Sequence, residues 1–540
     1  ATRVKEDGYI EKGYENLLTY SNQFDNTWLQ NRIDLTSGQS GYDGGSDAWK
    51  LESNNASTTY LSQSVAASGV QTTSLYAKAG TADYFAYYTS SGASAWFNLS
   101  NGSIGNTGSN IDTQIEDVGN GWYRCSMSYN ASISYVRIYL TDANGSFISA
   151  VGSNIYIQDA QINQGLAALP YVESGATNGL GGLLENDPRI DFTGGGCGSL
   201  LLEPSRTNLV YQSEYYGVYA PTRVTLTSNY GISPDGNQNA AAIFNTTEFG
   251  RHNLNGAYFS VTSGTSYVNS VFAKAGTITK MQLRMFSGGG ISIGFNDGVF
   301  DLTNGTATGT GAGIESYGNG WYRCYVIDSP TSSVSNARFN IELLDANGGI
   351  SYPGSITDYI EVFGSDVTES TYKTSYIPTY GVSQTRAVDL CTDAGDVNTF
   401  NSTEGVLYAE IAALGDGGVR MISISDGSVN NQVSFEYSVI TNLIRIRLIS
   451  GAVEQSFYQS TSYDYLQYHK IAISYKLNNF KVYIDGTEVY TDTSSIMPIG
   501  LNELSFANAN TASAFYGKAK QVLTFNQALS NSELAALTTI

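Results

Sequence analysis

Apolar positions in this chain recur every second residue in short runs, and seldom every third or fourth. Val136, Ile138 and Leu140 form one such run. Ile471, Ile473 and Tyr475 form another, and Phe480, Val482 and Ile484 follow after Asn478-Asn479. A period of two sends successive side chains to opposite faces of a strand. Turn sequences punctuate the runs: Asp142-Ala143-Asn144-Gly145, Asn478-Asn479 and Asp485-Gly486. Such pairs tolerate the positive φ of tight hairpins. Long amphipathic helical patterns are nearly absent. One short helix is expected near the end, where Ser530 and Glu533 stand at capping-box spacing ahead of Leu534 and Leu537. The pattern predicts an all-β chain rich in turns.

The pattern also repeats. Gly119-Asn120-Gly121-Trp122-Tyr123-Arg124-Cys125 returns as Gly318-Asn319-Gly320-Trp321-Tyr322-Arg323-Cys324, an offset of 321 − 122 = 199 residues. That is the spacing of duplicated domains, too long for a solenoid. On the strand after the turn, Tyr123, Cys125 and Met127 face one way, and Trp122, Arg124 and Ser126 the other. Cys125 and Cys324 are expected as unpaired core thiols. Trp122, Arg124, Trp321 and Arg323 would stack to stabilise the fold or form a ligand platform. Ala77-Lys78-Ala79-Gly80 is answered by Ala273-Lys274-Ala275-Gly276, and Asp142–Gly145 by Asp345–Gly348. Between the matched Arg137/Arg338 and the matched Asp142/Asp345 the offset grows from 201 to 203. Two extra residues preserve the phase of a strand, which one would invert. The expected division is a polar N-terminal segment (1–14), a first jelly roll (15–175), a Gly-rich connector (176–199), a second jelly roll (200–390) and a third domain of different motifs (391–540).

Composition narrows the function. Lys plus Arg number 27 against 48 Asp plus Glu, a net charge of −21. That sign disfavours nucleic-acid binding. No apolar run approaches the ~18 residues of a membrane-spanning helix, so no membrane insertion is expected. No signal peptide is visible, and because the sequence opens at Ala1 rather than Met the expectation is that something was removed or that only part of a longer product is given. Four cysteines are too few for a disulfide scaffold, although Cys197 and Cys391 bracket the second domain and could pair.

Catalytic constellations are sparse. The two histidines, His252 and His469, fall in different domains and show no metal-ligand spacing. Glu116, Asp117, Glu203 and Glu361 are scattered and read as solvated or capping carboxylates, not as a glycosidase pair. Structural calcium is the one cofactor entertained, at the oxygen-rich turns Asp43 to Asp47, Asp142 to Asn144 and Asp345 to Asn347, which are equally ordinary turn sequences. Sugar stacking would fall to Trp28, Trp49 and Trp96, which lie outside the repeated strands, and in the third domain to Tyr437 or Tyr458.

One block carries a resemblance. Cys197-Gly198-Ser199-Leu200-Leu201-Leu202-Glu203-Pro204-Ser205-Arg206-Thr207-Asn208-Leu209 resembles the "LLLEPxRTNL" segment of bacteriophage tail-fibre and other virion-appendage proteins. So do Asn16-Leu17-Leu18, both Gly-Asn-Gly-Trp-Tyr-Arg-Cys copies and Ser375-Tyr376-Ile377-Pro378. The sibling domains resemble carbohydrate-binding-module jelly rolls. The third resembles a concanavalin A-like, laminin G-type sandwich through His469–Gly486 and Leu529–Leu534. The resemblance implies three tandem β-sandwiches in a non-enzymatic virion surface protein, tail fibre, head fibre or capsid decoration. It would be made in the host cytoplasm, assemble as a homo-oligomer with a trimer favoured, dock to other virion proteins and attach to glycans. The alternatives are a polysaccharide lyase or glycoside hydrolase with appended binding modules, and a ligand-free spacer.

Overall fold

The computed structural model describes residues 1–415, 418–510 and 512–540. The chain is all-β, built as three sandwiches, with a single α-helix among the described residues, Asn531–Thr538. Ser530 caps that helix by accepting from the Glu533 amide, and Glu533 returns the bond.

In the first sandwich, one sheet runs Ser103–Thr107, Ser94–Asn98, Tyr84–Thr89, Ile133–Thr141, Ser57–Ala67, with Leu29–Asn31 and Ile148–Ser149 on the far edge. The other runs Asp112–Gly119, Trp122–Asn130, Val70–Ala79, Asn154–Gln164, Ala48–Ser53, Ile33–Gln39. The second sandwich repeats this order. Its first sheet is Thr306–Thr308, Gly298–Asp301, Lys280–Ser287, Val334–Leu343, His252–Asn255, Ala220–Thr222. Its other sheet is Ala312–Ser316, Trp321–Asp328, Tyr267–Ala275, Tyr359–Glu369, Gln238–Asn245, Val224–Ile232. Even the irregularities match. The last long strand of each bulges at a positive-φ residue, Asp159 (φ 57°) in one and Gly364 (φ 61°) in the other. The alternation read from sequence lies where it should: Cys125, Met127, Val136, Ile138 and Leu140 fill the first core, and Cys324, Val326, Phe339, Ile341 and Leu343 the second. Both thiols are unpaired and fully buried.

The third sandwich pairs a five-stranded sheet (Val453–Ser460, Ile444–Ser450, Gln432–Tyr437, Arg420–Ser425, Glu503–Ser505) with a seven-stranded one. The seven-stranded sheet contains strands from well upstream. Leu200, Leu201 and Leu202 pair with Ala519, Lys518 and Gly517, and Ile190–Asp191 pairs with Ser199–Leu202. The segment expected as a plain connector and as the opening of the second jelly roll therefore belongs, by hydrogen bonding, to the third sandwich. Three consecutive leucines suit a strand with little exposed surface on either face, and glycine-rich flanks concealed it from the period-two pattern.

Each sibling sandwich is closed at its neck by a two-stranded pairing of its own ends. Tyr14–Asn16 pairs with Gly179–Gly181, and Arg206–Asn208 with Gln384–Arg386. Within each neck a buried asparagine clamps the end of the fold. Asn16 donates to the Ala160 and Val172 carbonyls and accepts from the Leu18 and Ile162 amides. Asn208 makes the matching four bonds with Ser365, Ile377, Val210 and Val367.

Residues 1–14 are more than a polar leader. Thr2–Val4 and Ile10–Lys12 form a hairpin seated on the second sandwich. Ile10 packs with Phe272, Trp321, Phe363 and Tyr376, and its amide donates to the Pro234 carbonyl at 2.8 Å. Cys197 is exposed, Cys391 is partly buried, and both are free thiols.

Candidate functional site

The strand parity that fills the cores directs the alternate side chains of every sheet outward. In the first sandwich, register aligns Leu29, Ser62, Arg137, Tyr88 and Ser94 in one cross-strand row. The next row is Asn31, Tyr60, Tyr139, Ala86 and Trp96. Side chains opposite one another in a sheet share a face. This face is aromatic. Tyr60 lies 5.0 Å from Tyr139 between ring centroids, and Phe147 packs on Tyr139 (4.5 Å), Trp96 (4.8 Å) and Tyr88 (5.6 Å).

The corresponding face of the second sandwich is polar. Asn255, Asn340 and Arg284 occupy the row of Ser62, Arg137 and Tyr88, while Asn253, Glu342 and Gln282 occupy that of Tyr60, Tyr139 and Ala86. Asn340 donates to Asn255 Oδ1 at 3.2 Å, and Asn255 to Asn253 Oδ1 at 3.0 Å. Arg284 and Gln282 both donate to Asp297 (3.0 and 3.3 Å), and Arg251 grips Glu342 with two nitrogens. Asn340 Oδ1 is buried and accepts no hydrogen bond within the protein. A buried acceptor without a donor is costly, about 1–3 kcal/mol, unless a ligand or water completes it.

The five-stranded sheet of the third sandwich carries a third polar strip, Gln432, Ser434 and Glu436 beside Arg445 and Arg447. Arg445 donates to Glu436 at 2.7 Å. Gln432 Oε1 and Ser434 Oγ are buried without partners.

The residues singled out by sequence are placed as follows. Trp28 and Trp49 lie in the first core at 4% and 8% exposure, their indole N–H groups donating to the Tyr20 and Asn22 carbonyls. Trp96 is on the outward face but covered by Phe147, its N–H donating to the Ser146 carbonyl at 2.6 Å. Tyr437 shares the parity of Val433 and Phe435 and is in the third core. Tyr458 opposes Ile446, so it packs against that core beside Tyr490. Four of these five are buried and Tyr458 is half-buried; being outside the repeated strands did not mean being outside the core. Trp122 is buried, with Tyr42 edge-on at 6.5 Å, and Arg124 donates to the Leu169 carbonyl. Trp321 donates to the Ile232 carbonyl at 3.0 Å, and Arg323 is buried against Asp366 (3.3 Å) and the Thr374 carbonyl (2.6 Å). The tryptophan–arginine pair of each copy thus holds segments that cross the sheet.

The turn carboxylates are occupied by their own loops. Asp43 accepts from the Gly45 amide (2.9 Å), Asp47 from Gln158 (2.9 Å) and Asp142 from the Ala150 amide (2.6 Å). Asn144 bonds Asn106 (2.6 Å), and Asp345 accepts from the Asn347 and Gly349 amides. Among the described residues no three His, Cys, Asp or Glu side chains converge on a space for a metal. Asp43 and Asp47 do crowd Asp159, which lies beneath Tyr42 (3.0 Å). Burial, reinforced by Asp47, Asp43 and Glu173, pushes Asp159 up to about 7.

His469 offers neither ring nitrogen to a groove: Nδ1 bonds Asp485 at 2.6 Å and Nε2 the Asp464 carbonyl at 3.0 Å. His252 is buried between the Arg223 and Tyr352 carbonyls. A cavity of about 390 Å³ opens at the first neck, lined by Tyr14, Leu17, Gln164, Leu180, Leu184 and Tyr380.

No protein-family model matches the chain, and no curated protein matches it. Among solved structures, the chain is similar to the CBM40 of the Ruminococcus gnavus IT-sialidase, at 12% identity over 28% of this chain and 96% of that one, with a TM-score of 0.24. It is similar to the N-terminal CBM22-1–CBM22-2 tandem of Paenibacillus barcinonensis Xyn10C, at 13% identity over 66% and 98%, TM-score 0.21. It is also similar to domains LG4-5 of the mouse laminin α1 chain, at 11% identity over 51% and 88%, TM-score 0.19.

Proposed function

We propose that this chain is a non-catalytic glycan-attachment protein on the surface of a bacteriophage particle, as a fibre or capsid decoration. The observation that carries the glycan reading is the amide row Asn253–Asn255–Asn340, with Asn340 Oδ1 buried and unpartnered on an outward sheet face. Amides and carboxylates at strand spacing match the density of sugar hydroxyls, and aromatic faces of the kind in the first sandwich suit pyranose rings. Weak sites suffice when many copies act together on one particle. The phage setting is supported by the resemblance of Leu200–Leu209 to virion-appendage sequences, as is assembly into a homo-oligomer, with a trimer favoured, beside other virion proteins.

The test is a glycan array probed with the full chain and with Asn340→Ala. We expect a defined set of oligosaccharides to bind, and Asn340→Ala to weaken binding at least tenfold while a melting curve shows that the variant still unfolds cooperatively. A blank array would favour a structural spacer. Release of reducing or unsaturated sugar ends from a bound polysaccharide would favour an enzyme. Imaging labelled protein on particles tests the setting.

A further inference from the structure

Arg137 is a cation held by aromatic rings on the outward face of the first sandwich. Its guanidinium carbon lies 4.4 Å from the ring centroids of both Tyr60 and Tyr135. Nη1 donates to Tyr139 Oη at 3.1 Å, while Nε is buried without an acceptor. Among the described residues Arg137 forms no ion pair, although Asp plus Glu outnumber Lys plus Arg by 48 to 27. The sibling sandwich shows the contrast. The guanidinium on its matching row, Arg284, is neutralised by Asp297 at 3.0 Å, Asn340 stands where Arg137 would be, and Arg338, two residues earlier on that strand, packs over Tyr258 and Phe286 at the place of Tyr135. Aromatic rings on either side hold the planar fork of Arg137 in one orientation. That lowers the entropy lost when it meets a planar, bidentate acceptor.

We infer that Arg137, framed by Tyr60 and Tyr135, is the recognition site for the carboxylate of an acidic sugar residue on the outward face of the first sandwich. The assignment rests on the glycan reading above and adds the ligand's charge. The carboxylate receives the unused N–H groups of Arg137, and the sugar ring lies toward Tyr88 and Ser62, the cross-strand neighbours in the same row. The sandwiches then differ in role, the first reading an acidic residue and the second reading hydroxyls.

The experiment uses the full chain on an array of oligosaccharides bearing uronic or sialic acid residues, each beside its carboxyl-reduced counterpart. We expect acidic members to bind and reduced ones to lose at least tenfold. Arg137→Gln should erase that difference, Arg137→Lys should retain part of it, and rising salt should weaken only the acidic set. Melting curves for both variants, expected within a few degrees of the parent, exclude misfolding. Equal binding of acidic and reduced members overturns the assignment while leaving the glycan reading intact. Binding of neither set overturns both. An acid preference that survives in a folded Arg137→Gln overturns the assignment to this residue.

Discussion

Lys12 and Glu214 stand 202 residues apart in sequence and 2.8 Å apart in space, sealed from solvent. The Lys12 ammonium also meets Asp235 at 3.0 Å and lies over the Phe363 and Tyr380 rings. In the first sandwich the position of Glu214 is taken by Asn22, because Ser21 and Ser213 match through their hydroxyl bonds to Tyr171 and Tyr376. The N-terminal hairpin is therefore matched to the second sandwich and has no counterpart site on the first.

From this follows the first prediction. Removing one partner of a buried ion pair leaves uncompensated charge, at about 3–5 kcal/mol. Lys12→Met is expected to lower the melting temperature of the second sandwich and expose residues 1–12 to limited proteolysis. Unchanged cleavage kinetics would contradict the docking.

Glu203 predicts an acid limit. Burial alone would raise its carboxyl, but Arg386 and Arg189 overcome that and hold it at about 2. Arg189 contacts it at 2.7 Å and Arg386 at 2.8 Å, and the Ser375 amide donates to it. A group whose folded pKa is depressed contributes stability above its ordinary value of 4.5, lost as pH falls through about 2. That contribution is about 3 kcal/mol. Urea unfolding should show stability declining from pH 4.5 to 2. Glu203→Gln should be less stable at pH 7 and flatter over that window.

Asp159 predicts the opposite slope. Its folded pKa of about 7 exceeds the ordinary 3.8. Its contribution is fully present below 3.8 and lost as pH rises through 7, on the order of a few kcal/mol at most. Asp159→Asn should remove the decline of the first sandwich between pH 4 and 8. Its positive φ is one that asparagine tolerates. An identical slope in the variant would sink the idea.

The thiols predict a graded reactivity. Cys197 is exposed, Cys391 partly buried, and Cys125 and Cys324 fully buried, with burial holding both of the last two thiols well above the ordinary range. A maleimide should label Cys197 first and Cys391 slowly. Cys125 and Cys324 should react only after unfolding, because the thiolate is the nucleophile.

What the sequence disclosed depended on periodicity. The sibling pair, their strand phases and the fate of Cys125 and Cys324 followed from alternation and the 199-residue repeat. The capping box at Ser530 followed from spacing alone. Long-range partnerships were illegible. Nothing local tells that Leu200–Leu202 pairs with residues 517–519, or that Lys12 meets Glu214. The tryptophans misled because parity, not repeat membership, decides what a side chain faces. Trp28 and Trp49 point inward, while Arg137 points out between two tyrosines; the register sets Asn340, and not the Arg338 expected from sequence, in its place in the second sandwich. The outward faces carried no motif, since their members are two residues apart within strands and scattered across several.

The paired neck of the second sandwich has a topological result. Glu203 and Asp389 are joined by a single backbone hydrogen bond of 3.0 Å, from the Asp389 amide to the Glu203 carbonyl. Everything between them is looped out of the third sandwich as a cassette. Excising it and rejoining the stumps with a few residues would leave that body unstretched. A replacement cassette would have to restore the bonds that Arg386 and Ser375 make to Glu203 and the seat of the N-terminal hairpin.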